Sequence, residues 1–251
     1  MAVPEGVRQV LARRRARMPA EANRLLECGS GFAGPFLFPV AAAAADLDDD
    51  AALSALDELL AAGMIRPGDT PERYEFGHAL VRNAVYDTLN PSRRARLHRR
   101  LARGLEAARA RVPGCTDPAE IVTQYARSTA LPGAQAGVAA AIEAADLAQA
   151  AGAHEAAVAF LTTAADLAGP DDERLTLVRS RLGLALAWAL RFDESVTTAR
   201  ATAERIARAE GARAGQFRQA RSSLDAAAGQ FRRIGMTGWL RRAEQLASQL
   251  A

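Results

Sequence analysis

Three histidines, His78, His98 and His154, and two cysteines, Cys28 and Cys115, carry most of the chemistry that this 251-residue chain could attempt. No histidine is paired with another, and neither cysteine has a Cys or His neighbour at metal-ligand spacing. The cysteines therefore read as free thiols and no metal site is expected. Asp48-Asp49-Asp50 reads as the acidic start of a helix, where negative charge suits the dipole, rather than as a metal site. All 32 basic residues are arginine. Without lysine the chain cannot supply the Lys of a phosphate-binding G-x-x-x-x-G-K-[ST] loop, a Schiff base or a lysine general base. No nucleophile elbow or His–Glu metal pair is present, so the expectation is a non-catalytic protein.

The arginines cluster at Arg13, Arg14, Arg15 and Arg17, and again at Arg93, Arg94, Arg96, Arg99, Arg100 and Arg103. Nucleic-acid or nucleotide contact is one reading. With a net charge of only +3, a solvated helix face paired with acidic neighbours is the favoured one. His98, amid these arginines, reads as a surface residue.

The elements that must position these residues are mostly helices. Hydrophobic residues make up 49% but aromatics only 5%, the difference being largely alanine. Alanine favours helices that pack closely through small side chains. Apolar periodicity predicts helices over 5–17 and 20–27, another after Asp46 and Asp48 with a Leu53, Leu56, Leu59 and Leu60 stripe, and another over 79–90. Gly63 suits a helix end, and Ser92 suits the cap of a long basic helix reaching about Arg109. Cys28–Pro39, rich in Gly and Pro, is expected to break regular structure. Met64–Arg66 and Arg73–Phe76 flank a Pro/Gly/Asp turn and predict a small hairpin. Helix, helix and hairpin in that order outline a winged helix, with Tyr74, Phe76, Leu80 and Tyr86 in its core. Val112–Pro118 marks a boundary, giving domains 1–112 and 113–251. No apolar run is long enough for a membrane helix and the N-terminus lacks a signal-peptide pattern, so a cytoplasmic protein without membrane attachment is expected.

The second half repeats. In three places a turn leads to a ring residue and then, three positions on, to a small residue: His154 with Ala157, Phe192 with Ser195, and Phe217 with Ala220. This resembles the second helix of a tetratricopeptide repeat, where small residues let paired helices approach and the ring fills the groove. The ring residues are 38 and 25 positions apart, against a usual period of about 34, so the array is degenerate. The fold expected is mainly α: a winged helix with a small β-hairpin, then a tetratricopeptide-like α-solenoid. Trp239 is expected to cover the end of the stack.

Val3–Arg14, Ala55–Arg66, Tyr74–Tyr86 and Pro91–His98 together resemble the region that follows the nucleotide-binding domain in STAND-type signalling ATPases. These include the large LuxR-family transcriptional regulators and ATPases attached to some adenylate cyclases. The resemblance implies a regulatory, non-catalytic portion of such a protein, with the winged helix reading nucleotide state and the helical repeats binding a protein partner or a small-molecule or peptide inducer. It implies ATP or ADP only through a P-loop domain, which this chain lacks. It also implies that His78, between a wing strand and a helix in Phe-x-His-x-Leu, contacts the β-phosphate of bound ADP, with Arg82 one turn further on. Without a P-loop domain, His78 reads as a capping or interface residue and Arg82 as a surface ion pair. In the resembled family the winged helix packs on the nucleotide-binding core, so DNA binding is not expected. The alternatives are a standalone repeat scaffold and a winged-helix DNA-binding regulator.

Overall fold

The computed structural model describes residues 5–209 and, beyond them, residues 228–229, 232–233, 240–241 and 244–245. The proposed third repeat, with Phe217 and Ala220, and Trp239 lie outside the described residues. The chain forms two compact units, Met1–Pro132 and Gly133–Ala251. The division lies beyond the Val112–Pro118 breaker because the helix after that breaker packs on the long helix before it.

The first unit runs α1 (Glu5–Arg15), α2 (Ala20–Ser30), β1 (Phe36–Leu37), α3 (Phe38–Ala44), α4 (Asp49–Ala61), β2 (Ile65–Pro67), β3 (Arg73–Phe76), α5 (Ala79–Asp87), α6 (Pro91–Arg111) and α7 (Pro118–Ala126). The strands form an antiparallel sheet of order β1-β3-β2, with Ile65 opposite Phe76 and Phe36 opposite Tyr74. Helices followed by a hairpin whose second strand, β3, also pairs with β1 make a winged helix. Phe36 is fully buried and packs against Phe32, Tyr74 and Phe76, tying sheet to helices. Of the expected core residues Phe76 is buried, whereas Tyr74, Leu80 and Tyr86 are half-buried.

Cys28–Pro39 is not a break. Cys28, Gly29 and Ser30 complete α2, Phe36 and Leu37 form β1, and Pro39 sits in the first turn of α3. Proline is tolerated there because its missing N–H has no helical partner to lose. The glycines serve close packing: a Cβ on Gly29 would lie 2.9 Å from the Phe36 ring, and one on Gly31 2.6 Å from Leu101 Cδ1. Two smaller expectations also change. Leu53 is exposed rather than part of the buried stripe. Asn90, not Ser92, caps α6, its side-chain oxygen accepting from the Arg93 N–H at 2.9 Å.

The second unit begins with a short 3₁₀ turn, Ala134–Gly137, then α8 (Val138–Ala150), α9 (His154–Ala168), α10 (Leu175–Trp188) and α11 (Phe192–Ala209). Each helix packs on the next, α8 with α9, α9 with α10 and α10 with α11. The core between them is made of small and branched residues, among them Ala145, Ala157, Val158, Leu161, Ala185 and Leu186. The repeat is visible in the backbone. Gly152 and Leu190, equivalent turn residues, are both left-handed, with φ of 73° and 61°. In the first turn the Gly152 N–H donates to Gln149 O and the Ala153 N–H to Ala148 O; in the second Leu190 donates to Ala187 O and Arg191 to Leu186 O. These are matching helix-ending motifs. Glycine adopts this conformation freely, whereas leucine is strained in it, so the second turn is held by the packing around it.

Candidate functional site

β3 ends at Phe76, and the Gly77 N–H donates to Met64 O at 3.1 Å, closing the hairpin. The chain then turns through His78, whose extended backbone (φ −146°, ψ 134°) makes it the N-cap of α5. Its carbonyl accepts from the Val81 N–H at 2.9 Å and the Arg82 N–H at 3.3 Å. Its imidazole makes no capping bond and is exposed. The result is an uncommitted ring at a helix N-terminus, where the helix dipole favours an anion.

Arg82 is not a surface ion pair. Its guanidinium donates to the Phe32 carbonyl at 2.8 Å and to Asn83 Oδ1 at 2.9 Å. It thereby anchors the loop between α2 and β1, and no hydrogen bond or ion pair joins it to the His78 ring among the described residues.

His98 is not a surface residue. It is fully buried, and its Nε2 lies 2.8 Å from Tyr86 Oη and its Nδ1 2.6 Å from Gln124 Oε1. An amide oxygen only accepts, so these partners assign the neutral Nδ1–H tautomer, with the tyrosine hydroxyl donating to Nε2. Gln124 in turn donates to Gly31 O at 3.3 Å, so one polar chain joins α5, α6, α7 and α2. Burial pulls the His98 pKa below its ordinary value; the bond to Gln124 opposes this, and the charges of Arg127 and Arg94 add to it. The unfolded chain therefore takes up this proton at a higher pH than the native one. Native stability is expected to fall as pH drops below about 6.5 toward the lowered native value, by at most about 1.4 kcal/mol per pH unit from this group. Urea unfolding at about pH 7.5 and 5.5 checks this: wild type should lose more stability than His98→Gln, and equal losses would reject the assignment.

Arg99 is also buried, against the reading of this cluster as a solvated face. Its Nε donates to Ser128 Oγ at 3.1 Å and its Nη2 to the carbonyls of Ser128 and Leu131 at 3.0 and 3.1 Å. Its Nη1 donates to the Pro132 carbonyl. The guanidinium thus holds the turn that follows α7 and lies 5.3 Å from the Tyr125 ring centre.

In the second unit the ring residues open the second helix of each pair. His154 begins α9 and stacks on Trp188, with ring centres 5.6 Å apart and planes at 20°. Phe192 begins α11 and is half-buried. The small residues lie in the interfaces: Ala157 is fully buried, and the buried Ser195 donates through Oγ to Gly183 O at 2.7 Å. A group of three or more His, Cys, Asp or Glu side chains able to hold a metal is absent among the described residues. Both Cys28 and Cys115 are free thiols. None of the helices among the described residues is long and apolar enough to cross a membrane.

No protein-family model and no curated protein matches the chain. Among solved structures, a Signal Transduction ATPase with Numerous Domains (STAND) protein with a tetratricopeptide repeat sensor, from Pyrococcus horikoshii, aligns with 100% of this chain at 16% identity and a TM-score of 0.41. The chain spans 47% of that protein's length, and a likeness at this level establishes no shared activity.

Proposed function

We propose that this chain is a non-catalytic regulatory module of a signalling ATPase. Its winged helix reads the nucleotide held by a P-loop domain, and its helical pairs receive a protein partner or inducer. The observation that carries the reading is His78, an exposed imidazole with no hydrogen-bond partner among the described residues, at the N-terminus of α5 directly after the wing. A second support is the lysine-free composition, which leaves the P-loop to another domain. An imidazole donating to phosphate forms a charge-assisted bond, and losing one typically costs about 1.5–3 kcal/mol. With a STAND-type P-loop domain supplied in trans, His78→Ala is expected to weaken ADP binding by about tenfold or more. Equal ADP affinities for wild type and variant, read by calorimetry, would reject the phosphate contact.

A further inference from the structure

A cleft of about 600 Å³ opens in the first unit between α2, the turn before α6, α6 itself and the segment after α7. Its floor is apolar: Cys28, Ala45, Leu89, Leu97 and Leu131. One wall is a stripe of four exposed arginines, Arg93, Arg96, Arg100 and Arg103. At spacings of three and four residues these share one face of α6 over roughly 15 Å. Arg24 of α2 lines the cleft as well.

The charge there is uncompensated. Glu27, the carboxylate lining the cleft, is held by Arg15 at 2.6 Å. Arg96 gives one donor to Ser92 O at 3.3 Å, and Arg24 pairs at the surface with Glu21 at 3.1 Å. The guanidinium groups of Arg93, Arg100 and Arg103 have no hydrogen-bond or ion-pair partner among the described residues. Like charges at these helical spacings repel, so the bare stripe works against its own helix. Burial pushes the Cys28 thiol up to about 12, so the floor stays neutral.

We infer that this cleft binds a multiply phosphorylated small molecule of nucleotide size, its phosphates along the arginine wall and its apolar or aromatic body on the leucine floor. Guanidinium forks bind phosphate oxygens two at a time, which an ammonium cannot do. The volume lies within the usual range of about 300–1,000 Å³ for small-molecule sites. A nucleic-acid backbone is the weaker fit, since it would engage the arginines and leave the apolar floor uncovered. His78 does not line the cleft, so this inference does not rest on the phosphate contact proposed above.

The test is calorimetric titration of the full chain, without a P-loop domain, using ADP, ATP, inorganic phosphate and duplex DNA at about 50 and 200 mM salt. Saturable one-to-one nucleotide binding that weakens with salt is expected. The double variant Arg100→Ala/Arg103→Ala should lose at least about tenfold in affinity, and Arg100→Lys/Arg103→Lys should fall between it and wild type. Arg66→Ala, on the wing and paired with Glu75, should bind as wild type does. The inference is overturned by no saturable binding up to ~1 mM nucleotide, by a double alanine variant that binds like wild type, by inorganic phosphate binding as tightly as nucleotide, or by tighter binding of duplex DNA. Any of these failures leaves the proposed regulatory role standing, because the P-loop domain takes no part.

Discussion

Arg99→Ala is expected to destabilise the first unit by about 3 kcal/mol. The side chain is buried and spreads its donors over Ser128 Oγ and the carbonyls of Ser128, Leu131 and Pro132. No carboxylate neutralises it within ion-pair distance among the described residues, so those carbonyls and the Tyr125 ring face carry the whole compensation. Truncation removes the charge but strands several buried acceptors and leaves a void beside Tyr125. Leaving buried groups unpaired costs more than the bonds were worth in water. Lysine in its place keeps a charge but cannot span four acceptors, so Arg99→Lys should fall between alanine and wild type. The neighbouring Arg100 is exposed, and Arg100→Ala should stay within about 0.5 kcal/mol. Hydrogen exchange of the α6 and α7 amides separates these outcomes. Equal protection in Arg99→Ala and Arg100→Ala would show that Arg99 does not hold the turn after α7.

Leu161→Ala carries the largest expected effect in the second unit, about 3 kcal/mol. Leu161 is 1% exposed in α9 and belongs to the cluster shared by α8, α9 and α10. Each helix here is thin-walled in alanine, so a leucine supplies an unusual share of the apolar volume between them. Neighbouring alanines cannot extend to fill the space, and the cavity term is therefore expected in full. Leu147→Ala, in α8 but 55% exposed, should cost well under 1 kcal/mol. Trp188 is stacked on His154 at the end of α10, so its fluorescence during urea unfolding reports this unit. Coincident midpoints for the two leucine variants would contradict the assigned core.

The sequence made the elements legible wherever one local signal dominated. The hairpin, the acidic start of α4 and the Asp117 cap of α7 follow from turn and capping chemistry alone; Asp48 and Asp117 accept from Ala51 and Ala119 N–H groups, each at 2.9 Å. β1 and α3 were hidden because glycine and proline usually punctuate, whereas here Gly29 and Gly31 admit Phe36 and Leu101 at distances no Cβ would allow. That is a tertiary fact with no local signature. His98 and Arg99 are hidden for a different reason. Their arginine neighbours suggested a wet surface, yet His98 lies three residues before Leu101 and seven before Leu105, both fully buried. The helical period itself points His98 inward, against the composition of its neighbours. At the candidate site, the position of His78 between strand and helix was readable. The commitment of Arg82 to the Phe32 carbonyl was not, because it depends on a loop fifty residues away in sequence.

The repeat shows the same division. The ring and small residues of the first two pairs were readable as a pattern. The equivalence of Gly152 and Leu190 was not, since only the backbone reveals that leucine adopts the glycine conformation.

The role proposed for this chain is to report nucleotide state, and association with a STAND-type P-loop domain tests that most directly. The measurement is the affinity of this chain for that domain loaded with ADP and with a non-hydrolysable ATP analogue, repeated with His78→Ala. The account predicts tighter association with the ADP-loaded domain and loss of that preference in the variant. Equal affinity for the two nucleotide states in wild type would contradict it.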